Sequence, residues 1–415
     1  MTIANEQFSI FVFMIQQESI RKVIEAQKGR IRLNSGSLKR ELLPSLPNSN
    51  THALIISGIR RCGKSTLLLQ MLKQKHKKAL YLNFEDPRLY GLELADFQLL
   101  DSIIKDMKTE SLFFDEIQII NGWERYVRQK LDENYKVAIT GSNASMLSRE
   151  LGTKLTGRHI SKELFPFSYT EFLSFNSFKA GVASWQKYAA TGGFPEFVKT
   201  GDSDILAALF SDILGRDIAV RHGIRDILSL KRLSVYLVSN VGSLVSARKL
   251  LQPLGFQSST TILEYFSFLE DCYLINFMPK FSHSPKAQSI NPRKIFVIDP
   301  GILSVASQSF FPNKGRLLEN LVYWHFRRQG KELFYFQEKR GECDFVIFNR
   351  GKFEQAVQVC YELTLENSAR EKNGLNEALD FFGSNNGVIL TFNQRDAYIR
   401  NGKQIEIRPV WEFVS

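Results

Sequence analysis

Between residues 51 and 164 the apolar positions fall in short runs, "ALIIS", "ALYLNF", "SLFFDE" and "KVAITGS". Polar or helix-patterned stretches such as "STLLLQMLKQKHKK" and "WERYVRQKLDEN" separate them. Runs this short with no polar alternation predict strands buried on both faces, and helices between them predict βαβ units around a parallel sheet. From 165 to 225 the pattern turns helical, punctuated by "TGGFPE" at residues 191–196, where paired glycines before a proline predict a turn. "LVSARKLLQPLGFQSSTTILEYFSFLEDCYLINFMPKF" then predicts a helix from Ser246, a turn over residues 253–257, an amphipathic helix and the strand-like "YLINFM". That is the order of a winged helix-turn-helix. From Pro292 onward strands and helices mix again, through "KIFVIDPG", "LLENLVYWHFRR", "CDFVIF" and "GVILTF", predicting a separate α/β domain.

Five segments follow: an N-terminal helical extension (1–50), the parallel-sheet core (51–165), a helical lid-like region (166–225), the winged helix (226–290) and the final α/β domain (291–415). A chain of 415 residues is too long for one ordinary core, so two or three domains are expected. Its 44% apolar and 23% charged residues are the balance of a soluble globular protein. The apolar run at residues 8–15 falls far short of the roughly 20 residues that span a bilayer. With no basic stretch before it and no small-residue cleavage site after it, it does not read as a signal peptide, and no membrane partner is expected. Met14 is an alternative start, because "MIQQESIRKVIEAQK" opens a helix by itself. The net charge of +11 fits either an anionic partner such as nucleic acid or a basic solvated surface. Cys62, Cys272, Cys343 and Cys360 are scattered, with no Cys-x-x-Cys spacing and no zinc pattern, which points to a reduced, cytoplasmic compartment.

The chemistry concentrates in "GIRRCGKST" at residues 58–66. Gly58-x-x-x-x-Gly63-Lys64-Ser65 is a P-loop placed where the physics requires, after an apolar strand and before a helix. Glycines let main-chain N–H groups turn inward around a phosphate, and the helix N-terminus adds its dipole. The nucleotide-binding set is Gly58, Ile59, Arg60, Arg61, Cys62, Gly63, Lys64, Ser65 and Thr66. ATP is the expected ligand, with Lys64 reaching the β/γ-phosphates and the Ser65 hydroxyl on Mg²⁺. Arg60 and Arg61 either add charge near the phosphates or face outward. Cys62 is either activated by the helix N-terminus or a small residue tolerated in the loop. "SLFFDE" ends in Asp115, with a Walker B role of holding Mg²⁺ through water, and Glu116, a general base for water. "KVAITGSN" brings Ser142 or Asn143 to orient water or sense the γ-phosphate, or merely to bond the loop. In "LTGRHI", Arg158 either stabilises transferred charge, within one chain or across the boundary of a homo-oligomer, or faces solvent.

Together with "LNFEDPR", "LFFDEIQ", "ITGSNASML", "LTGR" before "LFPFSYTEFL", and "TGGFPEF", these residues resemble the prokaryotic AAA+ ATPases of the AAA_14 type. The resemblance covers nearly the whole chain from Gln16. It implies a P-loop AAA+ parallel-sheet domain, a helical and winged-helix middle region, and a C-terminal domain of unknown function. ATP hydrolysis would then drive conformational change, acting on DNA or on another target.

The last domain resembles the PD-(D/E)xK, restriction-endonuclease-like fold. The resemblance implies Asp344 in "GECDFVIF" as the first carboxylate and Glu319 as an accessory one. It departs on the next strand, "AVQVCYE", where Gln358 and Cys360 stand in place of the Glu and Lys. A neutral amide is a poor Mg²⁺ ligand beside carboxylates, so a degenerate, binding-only domain is expected. Glu362, on the same strand face, is a candidate migrated carboxylate. In the middle region Arg248 and Lys249 are candidate phosphate contacts. A nucleotide-gated DNA-binding switch with little turnover and a nucleotide-controlled nuclease are the alternatives to an ATPase.

Overall fold

A computed structural model describes residues 16–33, 37–76, 78–142, 155, 157–307, 313–339 and 341–415. The chain divides into two compact units. The first takes in residues up to 57 together with 64–162, and the second takes in 58–63 together with 163–415.

In the first unit the apolar runs become strands β1 (Ala53–Ser57), β2 (Ala79–Asn83), β3 (Ser111–Asp115), β4 (Lys136–Gly141) and β5 (His159–Glu163). Their order is β2-β3-β4-β1-β5, and the pairs β2/β3, β3/β4 and β4/β1 are parallel. Every residue of β1 and β3 is buried, which is why these strands show no polar alternation. Helices Lys64–Lys75, Phe97–Asp106 and Trp123–Asp132 alternate with the strands. The helix Gln17–Leu33 is not a detached extension. Its Ile20, Val23 and Ile24, spaced on one helical face, enter the same core as Ile55, Leu82 and Phe114. Gln27 fixes it further, accepting from Asn83 N (2.8 Å) and donating to Asn83 O (3.2 Å).

In the second unit, helices Tyr169–Asn176, Val182–Thr191, Pro195–Thr200 and Ser203–Asp212 lead into a π-helical stretch, Ile213–Val220. Helices Ile227–Ser239, Ala247–Leu254 and Ser259–Asp271 then combine with β6 (Leu244–Val245), β7 (Ile275–Met278) and β8 (Arg293–Val297). These strands form an antiparallel sheet in the order β6-β8-β7. The domain boundary expected at residue 290 therefore falls inside this sheet, because β8 pairs with β6 and β7 rather than with the strands that follow it. The C-terminal sheet is mixed: β9 (Glu332–Gln337), β10 (Glu342–Asn349), β11 (Lys352–Val359), β12 (Asn386–Thr391), β13 (Asp396–Arg400) and β14 (Lys403–Pro409), ordered β13-β14-β12-β11-β10-β9.

"TGGFPE" does more than turn. Gly193 N donates to Asp299 (2.6 Å), and so does Gly301 N (2.8 Å). A Cβ on Gly192, whose φ is 73°, would lie 1.9 Å from an Asp299 oxygen, so glycine is required for the carboxylate to sit there. Complete burial pushes the Asp299 carboxyl up to about 7 despite those two donors.

Candidate functional site

The parallel register aligns the carboxyl ends of the first-unit strands. Asn83 pairs with Asp115 across β2 and β3, and Ser57 with Gly141 across β1 and β4. Polar residues that end these strands thus share one edge, the usual place for a ligand in an open α/β sheet.

Asp115 is wholly buried and held from three sides. It accepts from Tyr81 Oη (2.7 Å), from Asn83 Nδ2 (3.3 Å) and from Thr140 Oγ1. Glu116 follows in the left-handed region, φ 55°, and its N–H donates to Thr140 Oγ1 (3.1 Å). Such a φ is unfavourable for a residue with a Cβ and turns the Glu116 side chain out of the strand's alternation. Its carboxylate accepts from Gln118 Nε2 and stands 3.9 Å from Lys64 Nζ. Lys64 and Glu116 side chains are 5% and 12% exposed, so this charge pair sits largely out of water. Lys64 opens the helix Lys64–Lys75, and Ser65 and Thr66 follow in its first turn, half-buried.

The preceding loop turns on residues of positive φ. Gly58, Arg61 and Gly63 have φ of 151°, 63° and 102°. A Cβ on Gly58 would meet the Leu164 carbonyl oxygen at 2.1 Å. Ile59 is buried, and its carbonyl accepts from Cys62 N (3.3 Å). Cys62 is buried too, with its thiol donating to Leu164 O (3.3 Å), so packing rather than reactivity explains it. The Arg60 guanidinium forks onto Asp217, Nε to Oδ2 at 3.2 Å and Nη2 to Oδ1 at 3.3 Å. Arg61 lies 3.8 Å from both Glu196 and Asp212. Both arginine charges are therefore turned toward carboxylates.

Arg158 is not brought to Lys64, Asp115 and Glu116. Its carbonyl accepts from Ala53 N (3.0 Å), at the start of β1, and its guanidinium bonds Thr51 O (3.3 Å) and Asp132. This is the opposite end of β1 from the loop. Ser142 is buried just beyond β4, while Asn143 lies outside the described residues, as does Met14. The sequence reading missed Tyr81, Asn83, Gln118 and Thr140. Their one signal was position, since Asn83 and Thr140 lie at or beside the carboxyl ends of apolar runs, as Asp115 does.

Ser65 and Asp115 each offer only oxygen atoms, the ligand type of Mg²⁺, an ion that takes one or two protein oxygens beside phosphates and keeps several waters. Among the described residues no group of three or more His, Cys, Asp or Glu side chains is arranged to hold a metal by itself.

The C-terminal candidates lie around a cavity of ≈650 Å³. Lys294, delivered by β8, donates to Glu319 (2.7 Å) and Asp344 (2.8 Å), and lies 2.6 Å from Glu342. Burial opposes its charge, yet Asp344, Glu319 and Glu342 together hold the ammonium well above its ordinary value. Burial, reinforced by the Asp344 and Glu342 charges and opposed by Lys294, pushes the Glu319 carboxyl up to about 8. Gln358 accepts from Asp344 N (3.2 Å) and donates to Glu371 (2.6 Å) of the helix Leu365–Phe382. Glu362 does not share a strand face with Gln358, because β11 ends at Val359 and Glu362 is exposed beyond it. Cys360 is buried, which pushes its thiol up to about 12.

The AAA_14 family, an AAA domain, matches residues 50–173. A domain of unknown function, DUF8612, matches residues 182–312. An uncharacterized protein of Methanocaldococcus jannaschii is 35% identical over 390 residues, covering 86% of this chain and 87% of its own. The chain belongs to the family of this archaeal protein. A second relative, an uncharacterized protein of Haemophilus influenzae, is 32% identical over 330 residues, covering 74% of this chain and 82% of its own. Among solved structures, a Walker-type ATPase of Pyrococcus abyssi superposes with a TM-score of 0.41 at 15% identity, over 71% of this chain and 99% of that one. The AAA part of the expected resemblance rests on the family match, which takes in residues 50–173 as an AAA domain. Among the described residues no helix is long and apolar enough to cross a membrane.

Proposed function

We propose that this chain binds ATP with Mg²⁺ on residues 58–66 and hydrolyses it. One observation carries the reading: Lys64 and Glu116 meet 3.9 Å apart, shielded from water, beside a wholly buried Asp115 at the carboxyl edge of a parallel sheet. Main-chain N–H groups of the loop and the positive end of the following helix take the β-phosphate, and Lys64 takes the β/γ oxygens. Glu116, oriented by Gln118 and by its own left-handed backbone, accepts a proton from the attacking water. Mg²⁺, held by Ser65 and through water by Asp115, would offset charge on the phosphate oxygens. Arg158 has no part within one chain. Acting across the boundary of a homo-oligomer would require it to leave Asp132.

Phosphate release and nucleotide titration test the reading on wild type, Lys64→Ala and Glu116→Gln. Lys64→Ala should lose binding. Glu116→Gln should bind normally and turn over at least about 100-fold more slowly, the scale of a lost general base. Unchanged turnover in Glu116→Gln removes the base assignment, and unchanged binding in Lys64→Ala removes the site.

For the output of the cycle, the helix–strand–helix–helix–strand–helix–strand order of residues 227–297, with a short helix Pro285–Ile290 between β7 and β8 and sheet order β6-β8-β7, supports a winged helix. Its third helix, Ser259–Asp271, carries Glu264, Glu270 and Asp271 and no Lys or Arg, and Leu263 is 48% exposed on it. A helix entering a DNA groove needs cations for the phosphates beside it. We therefore propose a protein partner for this helix rather than DNA. In the last domain the Lys294 ammonium already pairs with Asp344 and Glu319, the carboxylates that a nuclease would give to a metal, which supports the binding-only reading.

A further inference from the structure

We infer that Asp217 is a positioning residue for the nucleotide loop, acting through Arg60. The inference rests on the proposed nucleotide site and deepens it. Within the second unit, side chains that tie residues 58–63 include the Arg60 fork to Asp217 and the Cys62 thiol on Leu164 O, with Arg61 3.8 Å from Glu196 and from Asp212. Between these two pins sits Arg61, whose left-handed φ of 63° is costly for any residue with a Cβ. Left to itself such a residue relaxes, and the loop's turn relaxes with it. The fork fixes the position just before Arg61 and the thiol contact the position just after, so the strained residue is held from both sides.

Chemistry and placement both suit Asp217 to this task. A guanidinium meeting a carboxylate through two N–H bonds fixes direction as well as distance, which an ammonium cannot do. The side chains of Arg60 and Asp217 are 19% and 6% exposed, so water competes weakly for the pair. Asp217 is presented by a π-helical stretch, Ile213–Val220, which follows directly on the helix Ser203–Asp212. π-helical turns widen the backbone and rotate the residues after them, and they collect at functional sites. A change in the winding of this stretch would move Asp217, and through Arg60 it would reach the phosphate cradle. Arg60 thus serves as a strut for the loop rather than as a direct phosphate ligand.

A double-mutant cycle tests this on the full chain, using titration with a fluorescent ATP analogue and Mg²⁺, steady-state turnover and thermal unfolding. Asp217→Asn and Arg60→Lys should each weaken nucleotide binding about tenfold, about 1.4 kcal/mol. The double variant should be no weaker than either single one. Asp217→Glu, which keeps the carboxylate, should recover part of the loss. KM should rise while kcat stays near wild type, because Asp217 touches no reacting atom. Independent, additive losses overturn the inference, as does wild-type affinity in both single variants. If Asp217→Asn does not fold, Asp217→Ser takes its place in the cycle with Arg60→Lys. Lys64→Ala separates the two levels. Lost binding there with unchanged binding in Asp217→Asn overturns only the positioning role, whereas retained binding in Lys64→Ala overturns the nucleotide site itself.

Discussion

Replacing Lys294 by methionine keeps the length of a buried side chain and removes its charge. The ammonium is 3% exposed and reaches three carboxylates, Glu319, Asp344 and Glu342, within 2.6–2.8 Å. Burial pushes the Glu319 carboxyl up to about 8, and the ammonium is the shared partner of all three groups. Without it, the largely buried Asp344 carboxylate loses its cation. Deleting one partner of a buried ion pair costs roughly 3–5 kcal/mol, and Lys294→Met should lose about that much at pH 7. Because the chain has two units, global unfolding is unsuitable as the readout. Hydrogen exchange followed by mass spectrometry on peptides covering β8, β10 and β11 reads the affected region, with first-unit peptides as the internal control. No change in exchange in these peptides at pH 7 would refute the pairing argument. Adding Asp344→Asn to Lys294→Met should restore part of the loss, since a neutral pair costs less than a stranded charge.

The Asp299 and Glu319 carboxyls, raised to about 7 and about 8 by burial, hold protons in the folded state that the unfolded chain has released above about pH 4. Their contribution to stability is therefore full only below about pH 4 and is lost progressively as pH rises from there to about 8, so Asp299→Asn should flatten the pH profile of second-unit unfolding. An unchanged slope would count against the burial argument. Gly193→Ala would place a Cβ 2.2 Å from Phe167 O, and exchange protection around residues 167–200 should drop sharply, whereas Gly201→Ala, with open space around it, should lose only the small cost of its left-handed φ. ATP turnover should be unchanged by single- or double-stranded DNA at physiological salt. Stimulation that disappears at high salt would instead assign the net positive charge to nucleic acid. The protein should not cleave DNA with Mg²⁺ or Mn²⁺, and cleavage abolished by Asp344→Ala would overturn the binding-only reading of the last domain.

What the sequence could determine alone was whatever is contiguous or periodic. The nucleotide loop is one unbroken stretch whose chemistry depends on the order of its own residues, and Asp115 and Glu116 are marked by the apolar strand they terminate. The parallel sheet followed from buried runs with helices between them, and the middle helices from their spacing. Tertiary structure decided everything that depends on which distant residues meet. Arg60 finds Asp217 across 157 positions and Lys294 finds Asp344 across 50, and neither pairing has a local pattern to announce it. The same limit sent Arg158 to Asp132 instead of to the loop, put Glu362 beyond the end of its strand, and gave β8 to the sheet before it. Local propensity and hydrophobic spacing are short-range, so they specify elements. Ion pairs, the sheet neighbours of a strand and the pinning of a loop are set by how those elements pack.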